Sequence, residues 1–504
     1  MRQLTSLDAQ FLALETRRQT GHVGSLAILD PATTATGTLT LADVEALITD
    51  RLPLLPPLRW RLREVPLGLD YPYWVDDADF DLHFHVRELG LAAPGTDAQL
   101  AEQVARLVSR PLDRARPLWE LYLISGLRSG HVAMFTKIHH AVIDGLSGAE
   151  ILGLLLDLTP EIRQIETTGP WGDNAPVPGD LGMLVQGLAG AARYPLRALR
   201  ALPSALPNLE ETQFKVIPGI GSVSRFAQSA QHALTRHDGP VQRTHLVAPK
   251  TSFSGRISPH RRFTFGQLSL DDVKAVKNAR GSTVNDVIVS ICAGAVRRWL
   301  IAHDELPEDP LVAQIPVSVR TQGEFGTYGN KIMLMAAPLM TNVEDPVARL
   351  AATHEALGDM KQRHRALPAS LLADANHFIP PAVFSRAARL TFGIATSRPG
   401  RPVWNCVISN VPGPQFPLYL AGARLEANYP VSVITHGMGL NITVMSYMGH
   451  LDVGIVADRE QMPDVALLTG WLRDELELLM PAAPTKAPKP APERARAKRT
   501  SSPA

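Results

Sequence analysis

Residues 138–148 read IHHAVIDGLSG, so the adjacent histidines His139 and His140 are followed by Asp144 and Gly145 in an otherwise apolar run. Three readings fit these residue types. The pair could be structural, each ring satisfied at the end of a strand. It could hold a metal, because two histidines and a carboxylate form a recognised ligand set. Successive strand side chains point to opposite faces, however, so neighbouring imidazoles do not easily share one ion. The third reading is general-base catalysis, with one imidazole facing a cleft and its neighbour facing the core. An imidazole titrates at about pH 6.5, so it is neutral and able to take a proton at cellular pH. A positioned base is worth about 10²–10⁴-fold in rate. Asp144 would then brace the turn through an ion pair, and Gly145 would allow a sharp bend or a close approach of substrate. Spacing alone leaves the structural and the catalytic readings both standing.

The elements around the pair follow from periodicity. HVGSLAILD (22–30) alternates and reads as a strand, and LADVEALITDRL (41–52) puts Leu41, Val44, Leu47 and Ile48 on one helical face. LWELYLIS (118–125) and HVAMFTKI (131–138) flank GLRSG as a hairpin whose second strand runs straight into the histidines. Trp119 is expected to pack in the core of that hairpin. Beyond Gly145, LSGAEILGLLLDL predicts a buried helix capped by Ser147. Residues 181–238 are helical in parts but interrupted by Pro195, Pro203, Pro207 and Pro218, which predicts a long connection.

A second half begins near Arg261. LSLDDVKAVKNAR, TVNDVIVSICAGAVRRWLIAH, DPVARLAATHEALGDMKQRH and PDVALLTGWLRDELELLM read as helices. LVAQIPVSV, KIMLMAAPLM, NCVISNV and NITVMSYMGHLDVGIV read as strands. The fold class expected is α/β with mixed sheets in two similar-sized domains.

Bulk composition narrows the field. The 504 residues suffice for more than one core, and 45% hydrophobic with 20% charged residues is an ordinary soluble globular make-up. A formal net charge of +1 gives no reason to expect a nucleic-acid partner. Two cysteines, Cys292 and Cys406, are too few for a disulfide framework and suit a reducing cytosol. Cys292 reads as a small buried apolar residue. The opening MRQLTSLDAQFLALE carries Asp8 and Glu15, so no secretory leader is expected, and no apolar stretch reaches the about 20 residues of a membrane span. From Pro481 the chain is rich in Pro, Ala and basic residues and is expected to be disordered, either as a solubilising tail or through weak attraction to anionic headgroups.

HHAVIDG matches the HHxxxDG motif of the CoA-dependent acyltransferase superfamily, and the chain resembles the bacterial wax ester synthase/diacylglycerol acyltransferase family over nearly its whole length to about residue 480. LTSLDAQFLALE with HVGSLAI looks like the family's opening. The family's PLW motif falls at Pro117, Leu118 and Trp119, and its Asn-Asp motif at Asn285 and Asp286. IPVSVR, YGNKI, SNVPGP and GLNITVMSY look like its C-terminal half. One departure is Gly21 before His22, where a bulkier residue, often Met, is expected; it touches only the local packing.

The resemblance implies two chloramphenicol acetyltransferase-like domains around a central tunnel, joined by a long, partly helical connection. The divisions expected are residues 1–165 with the motif, 166–245 as connection, 246–480 as the second domain and 481–504 as tail. It implies that His140 is the general base, with His139, Asp144 and Gly145 in support and Asn285 and Asp286 near the site; helix capping is the alternative for those last two. The base would take the proton of a diacylglycerol or long-chain alcohol, whose oxygen attacks the thioester of a fatty acyl-CoA. No covalent enzyme intermediate is needed, and no GxSxG elbow is present; GLSG around Ser147 is not one. No cofactor and no metal are expected, since acyl-CoA is a substrate. Arg261, Arg262 and Arg320 are candidates for the CoA phosphates, the alternative being solvated or paired arginines. A transferase for another hydroxyl or amine, and an inactive acyl-CoA- or lipid-binding homologue, remain as other readings.

In MLVQGLAGAARYPLRALRAL (183–202), Arg193, Arg197 and Arg200 share one helical face opposite apolar residues. That pattern suits either a domain-bridging helix or a helix lying in a membrane interface. The expected location is therefore cytoplasmic, peripheral to the inner membrane face or to lipid droplets.

Overall fold

Four helices open on the same local device. Thr5, Thr40, Thr96 and Thr283 each accept from the backbone three residues on, where Asp8, Asp43, Gln99 and Asp286 reach back to the cap. Such boxes satisfy backbone N–H groups that a helix start leaves without partners. The computed structural model describes residues 1–143, 153–164, 179, 181–185, 247–318, 332–365 and 402–481. The first half runs β1 (Arg2–Gln3), α1 (Ser6–Leu14), β2 (His22–Asp30), α2 (Leu41–Arg51), β3 (Trp60–Arg63), β4 (Tyr73–Asp76), α3 (Leu82–His85), β5 (Val86–Gly90), α4 (Asp97–Val108), β6 (Trp119–Ser125), β7 (Val132–His139) and α5 (His140–Ile143). The second runs β8 (Arg261–Ser269), α6 (Leu270–Arg280), α7 (Val284–Ala302), β9 (Leu311–Ser318), β10 (Ile332–Leu339), α8 (Pro346–Arg365), β11 (Cys406–Val411), β12 (Tyr419–Leu420), β13 (Ala423–Val431), β14 (Leu440–Tyr447), β15 (His450–Asp458) and α9 (Leu467–Leu479).

The strands form two six-stranded mixed sheets, ordered β12-β13-β2-β7-β6-β5 and β10-β9-β11-β14-β15-β8, with a small sheet β1-β4-β3 beside them. The hairpin expected around GLRSG is present, β6 pairing antiparallel with β7 in a register that sets Trp119 opposite Ile138. The run 441–456 is two strands, because Met448 and Gly449 take positive φ and turn the chain. Trp119 is buried as core, its indole N–H donating to the Leu58 carbonyl at 2.6 Å.

Two strands of the second half, β12 and β13, are built into the first sheet. β13 pairs antiparallel with β2 from Arg424↔Asp30 to Val431↔Gly24. Its partner across the seam is β15. The Asn428 N–H donates to the buried Asp452 carboxylate at 2.7 Å, and Gln267 donates to the other oxygen at 2.8 Å. Burial pushes the Asp452 carboxyl up, with these donors opposing. Gly454 is required here, since a Cβ would collide with the Pro430 carbonyl oxygen.

Apolar burial follows the same plan. One core lies around α7 and its sheet, from Val273 and Trp299 to Leu472. A second lies under β6 and β7. A third joins the halves, with Leu26, Val104 and Phe135 meeting Phe263, Tyr429 and Val456. Cys292 and Cys406 are buried free thiols, and burial pushes Cys406 up to about 12. Among the described residues no helix is long and apolar enough to cross a membrane.

Candidate active site

The histidine pair straddles a junction. β7 ends at His139 and α5 begins at His140, so the chain changes from extended to helical between the two rings. The His139 N–H donates to the Leu118 carbonyl at 2.9 Å, on the hairpin partner side. The His140 N–H donates to the Gly21 carbonyl at 2.9 Å, on the β2 side. The hairpin and β2 thus fix the pair from opposite flanks.

The rings have different surroundings, one at the end of the strand and the other at the start of the helix. His139 is buried. Its Nδ1 accepts from the Ala141 N–H at 3.1 Å, and its Nε2 lies 3.7 Å from Glu15 Oε1. A nitrogen that accepts cannot carry the ring proton, so the proton of neutral His139 sits on Nε2. Burial draws its pKa down to about 4, against the pull of Glu15 and with the push of Arg114 and His140. His140 is half-buried. Its ring stacks on Phe11 with centroids 4.1 Å apart and planes 16° apart. Its Nδ1 is buried and makes no hydrogen bond among the described residues. Burial lowers its pKa, opposed by its own backbone and by the Asp8 carboxylate.

Several residues around the pair lie in the opening stretch LTSLDAQFLALE, to which sequence alone assigns no site role. Phe11 and Asp8 come from α1, and Glu15 is that helix's C-cap. Glu15 Oε1 accepts from the Gly21 N–H at 3.0 Å, while Oε2 accepts from Arg114 at 2.8 and 3.2 Å. In the sequence, Asp8 and Glu15 stand out as charges in an apolar opening that resembles the family's, with nothing to tie them to the histidines. Gly21, the one departure from the family pattern, touches more than local packing: a Cβ there would sit 2.6 Å from His139 Nε2. The space a larger side chain would fill is taken by that ring.

Asn285 and Asp286 lie in the first turn of α7. Asp286 serves the helix start. Its Oδ2 accepts from the Thr283 N–H at 2.9 Å and pairs with His354 Nδ1 at 2.6 Å. Asn285 is not the cap; it is half-buried, and its Oδ1 accepts from Asn410 Nδ2 on β11 at 3.5 Å. Among the described residues no hydrogen bond or ion pair joins either of them to His140.

Arg261 is occupied by the protein's own carbonyls. It is buried, and its guanidinium donates to the carbonyls of Ser258 at 2.7 Å, His260 at 3.2 Å and Arg18. Burial draws it down to about 10, so it stays charged at neutral pH. Arg262 is half-buried and pairs with Glu102 at 3.0 Å. Asp144, Gly145, Ser147 and Arg320 lie outside the described residues, as do residues 186–202 of the amphipathic segment and the tail from 482. Among the described residues no three His, Cys, Asp or Glu side chains group as a metal site.

The sequence profile of the wax ester synthase/diacylglycerol acyltransferase catalytic domain matches residues 4–288, and that of the WS/DGAT C-terminal domain matches residues 328–480. The chain belongs to the wax ester synthase/diacylglycerol acyltransferase family. It is therefore an acyltransferase. The catalytic-domain profile takes in α1, the histidine pair and the Asn285–Asp286 turn together. A Mycobacterium tuberculosis relative named for diacylglycerol O-acyltransferase activity is 35% identical over 467 residues, 92% of this chain and 87% of that one. The O-acyltransferase WSD of Acinetobacter baylyi is 32% identical over 486 residues, 95% of this chain and 97% of that one. The solved wax ester synthase/diacylglycerol acyltransferase of Marinobacter aquaeolei VT8 is 29% identical, with a TM-score of 0.66 over 95% of this chain and 98% of that one. The mixed two-sheet fold of the wax ester synthase/diacylglycerol acyltransferase chain is also that of a condensation domain of the calcium-dependent antibiotic synthetase, at 16% identity and a TM-score of 0.50 over 95% of this chain and 97% of that one.

Proposed function

We propose that the protein transfers the acyl group of a fatty acyl-CoA to the free hydroxyl of a diacylglycerol, and also to a long-chain alcohol, with His140 as general base. The observation carrying this is the half-buried imidazole of His140, with Nδ1 enclosed by protein and one ring face on Phe11. That arrangement leaves Nε2 as the nitrogen to accept the hydroxyl proton. The freed oxygen attacks the thioester carbon, the tetrahedral intermediate collapses, and the C–S bond breaks. The imidazolium returns its proton to the departing CoA thiolate, so ester and thiol form without a covalent enzyme intermediate. Asn285 is the candidate for a polar contact to the developing oxyanion, a role typically worth about 3–4 kcal/mol. Arg262, with Arg320, remains the candidate for the CoA phosphates. Asp144 remains as a supporting residue, and Gly145 would allow a sharp bend or a close approach of substrate.

The test measures CoA thiol released from palmitoyl-CoA with dioleoylglycerol, with hexadecanol or with no acceptor. Acceptor-dependent release is expected; binding of palmitoyl-CoA with no turnover on either acceptor would instead favour a lipid-binding homologue. The pH profile is a further check. Only neutral His140 can act as base, and burial lowers its pKa, so the neutral form persists below the free imidazole value of about 6.5. The acidic limb of kcat/KM is therefore expected to have its midpoint below pH 6.5; a midpoint above it contradicts the assignment.

Peripheral association with a lipid surface is part of the same reading, since both acceptors partition into membranes. Arg193, Arg197 and Arg200 opposite an apolar face, and the basic tail, support it from the sequence. Deleting residues 183–202 is expected to abolish flotation with anionic liposomes; undiminished flotation would remove the segment from the proposal.

A further inference from the structure

We propose that Glu15, together with Phe11 on the same helix, is the positioning residue that holds His140 in its catalytic place. This rests on the reading of His140 as the base.

The direction of the His140 side chain is set by the backbone at the strand-to-helix junction. Two side connections pin that junction. The His140 N–H is held by the Gly21 carbonyl, and the Ala141 N–H is held by His139 Nδ1. Both lead to one carboxylate. Glu15 Oε1 takes the Gly21 N–H at 3.0 Å, on the same residue whose carbonyl holds His140. The same oxygen lies 3.7 Å from His139 Nε2, the nitrogen that carries the proton when Nδ1 accepts from Ala141. Glu15 thereby favours the one His139 tautomer that can hold Ala141.

The carboxylate is itself fixed. Its other oxygen takes two bonds from Arg114, which also donates to the Leu12 carbonyl in the last turn of α1 at 2.6 Å. The Glu15 side chain is only 8% exposed, so water competes little for these contacts. Four residues earlier, Phe11 stacks on the His140 ring. Residues four apart lie on one helical face. A single face of α1 and its cap therefore grips both the backbone and the ring of His140. The alternative is that Glu15 and Arg114 form an ordinary ion pair that stabilises the end of α1 and does nothing else.

The two differ in what substitution changes. A misplacement of about 1 Å at a reacting group costs on the order of 100-fold in rate. Glu15→Ala is expected to lower kcat by about 10–100-fold, with KM for palmitoyl-CoA within about twofold, when rates are normalised to folded enzyme well below the melting temperature. Glu15→Gln keeps an oxygen for the Gly21 N–H and should recover kcat to within about fivefold of wild type. His139→Asn offers an oxygen to the Ala141 N–H and should likewise outperform His139→Ala. Wild-type kcat per folded molecule in Glu15→Ala, or a KM that rises as steeply as kcat falls, overturns the proposal. Should Glu15→Ala not fold, Phe11→Leu takes its place, with a severalfold loss of kcat at constant KM expected and wild-type kcat overturning the idea. His140→Ala is assayed in parallel. An inactive His140→Ala beside a fully active Glu15→Ala sinks only the positioning role, whereas a fully active His140→Ala sinks the base assignment and this inference with it.

Discussion

Replacing His140 by alanine is expected to cut acceptor-dependent thiol release by about 10²–10⁴-fold, the usual worth of a positioned general base. The effect should fall on kcat. The imidazole is expected to meet the acceptor hydroxyl rather than the CoA, so KM for palmitoyl-CoA should stay within about twofold. Stability should change little, because the ring is half-buried and its identified ring contact is Phe11. Steady-state kinetics with each acceptor, beside a thermal melt, separate these effects. His139→Ala should behave differently. That ring is buried and holds the Ala141 N–H, so its loss should lower stability as well as rate. A His140→Ala enzyme within tenfold of wild type, with intact acceptor dependence, would rule out the mechanism.

The second large effect is on stability. Lys137 is fully buried two residues before His139, and its ammonium lies 2.9 Å from Glu120 Oε2. The two face each other directly across the β6–β7 hairpin. The remaining ammonium contacts are the carbonyls of Leu107 at 3.3 Å and Arg110 at 2.9 Å, and Glu120 also accepts from the Tyr122 hydroxyl at 2.8 Å. Burial pulls the Lys137 pKa down while Glu120 pushes it back up. Glu120→Ala leaves an enclosed cation with only carbonyl partners, and removing one member of a buried pair typically costs about 3–5 kcal/mol. The expected result is a urea midpoint shifted down by that amount of free energy. The double variant Glu120→Leu/Lys137→Met should recover much of the loss, since an apolar replacement of both partners removes the desolvation cost. A single-variant loss under about 1 kcal/mol would mean that the carbonyls alone satisfy Lys137.

The sequence by itself determined many of the elements and the family. Periods of 2 and 3.6 are local, so the hairpin ending at His139, the helix Val284–Ala302 and the mixed α/β class follow from short windows. The different environments of His139 and His140 are expected from that strand period, but the structure sets them at a strand-to-helix junction. The HHxxxDG, PLW and Asn-Asp stretches, in order, were enough to place the chain in its family. What only the tertiary structure decided is which distant groups meet. The strand Ala423–Val431 joins β2, about four hundred positions earlier in the chain, because both bury apolar faces in the core between the halves. Arg261 has the composition of a phosphate ligand, yet its guanidinium is enclosed and bonded to a carbonyl 243 residues away. Glu15 reads as one charge in an apolar opening until folding brings Arg114 within 2.8 Å and Gly21 within 3.0 Å of its two oxygens. No periodicity encodes such pairings. They arise when remote segments share one buried volume, where each polar group removed from water must find a partner.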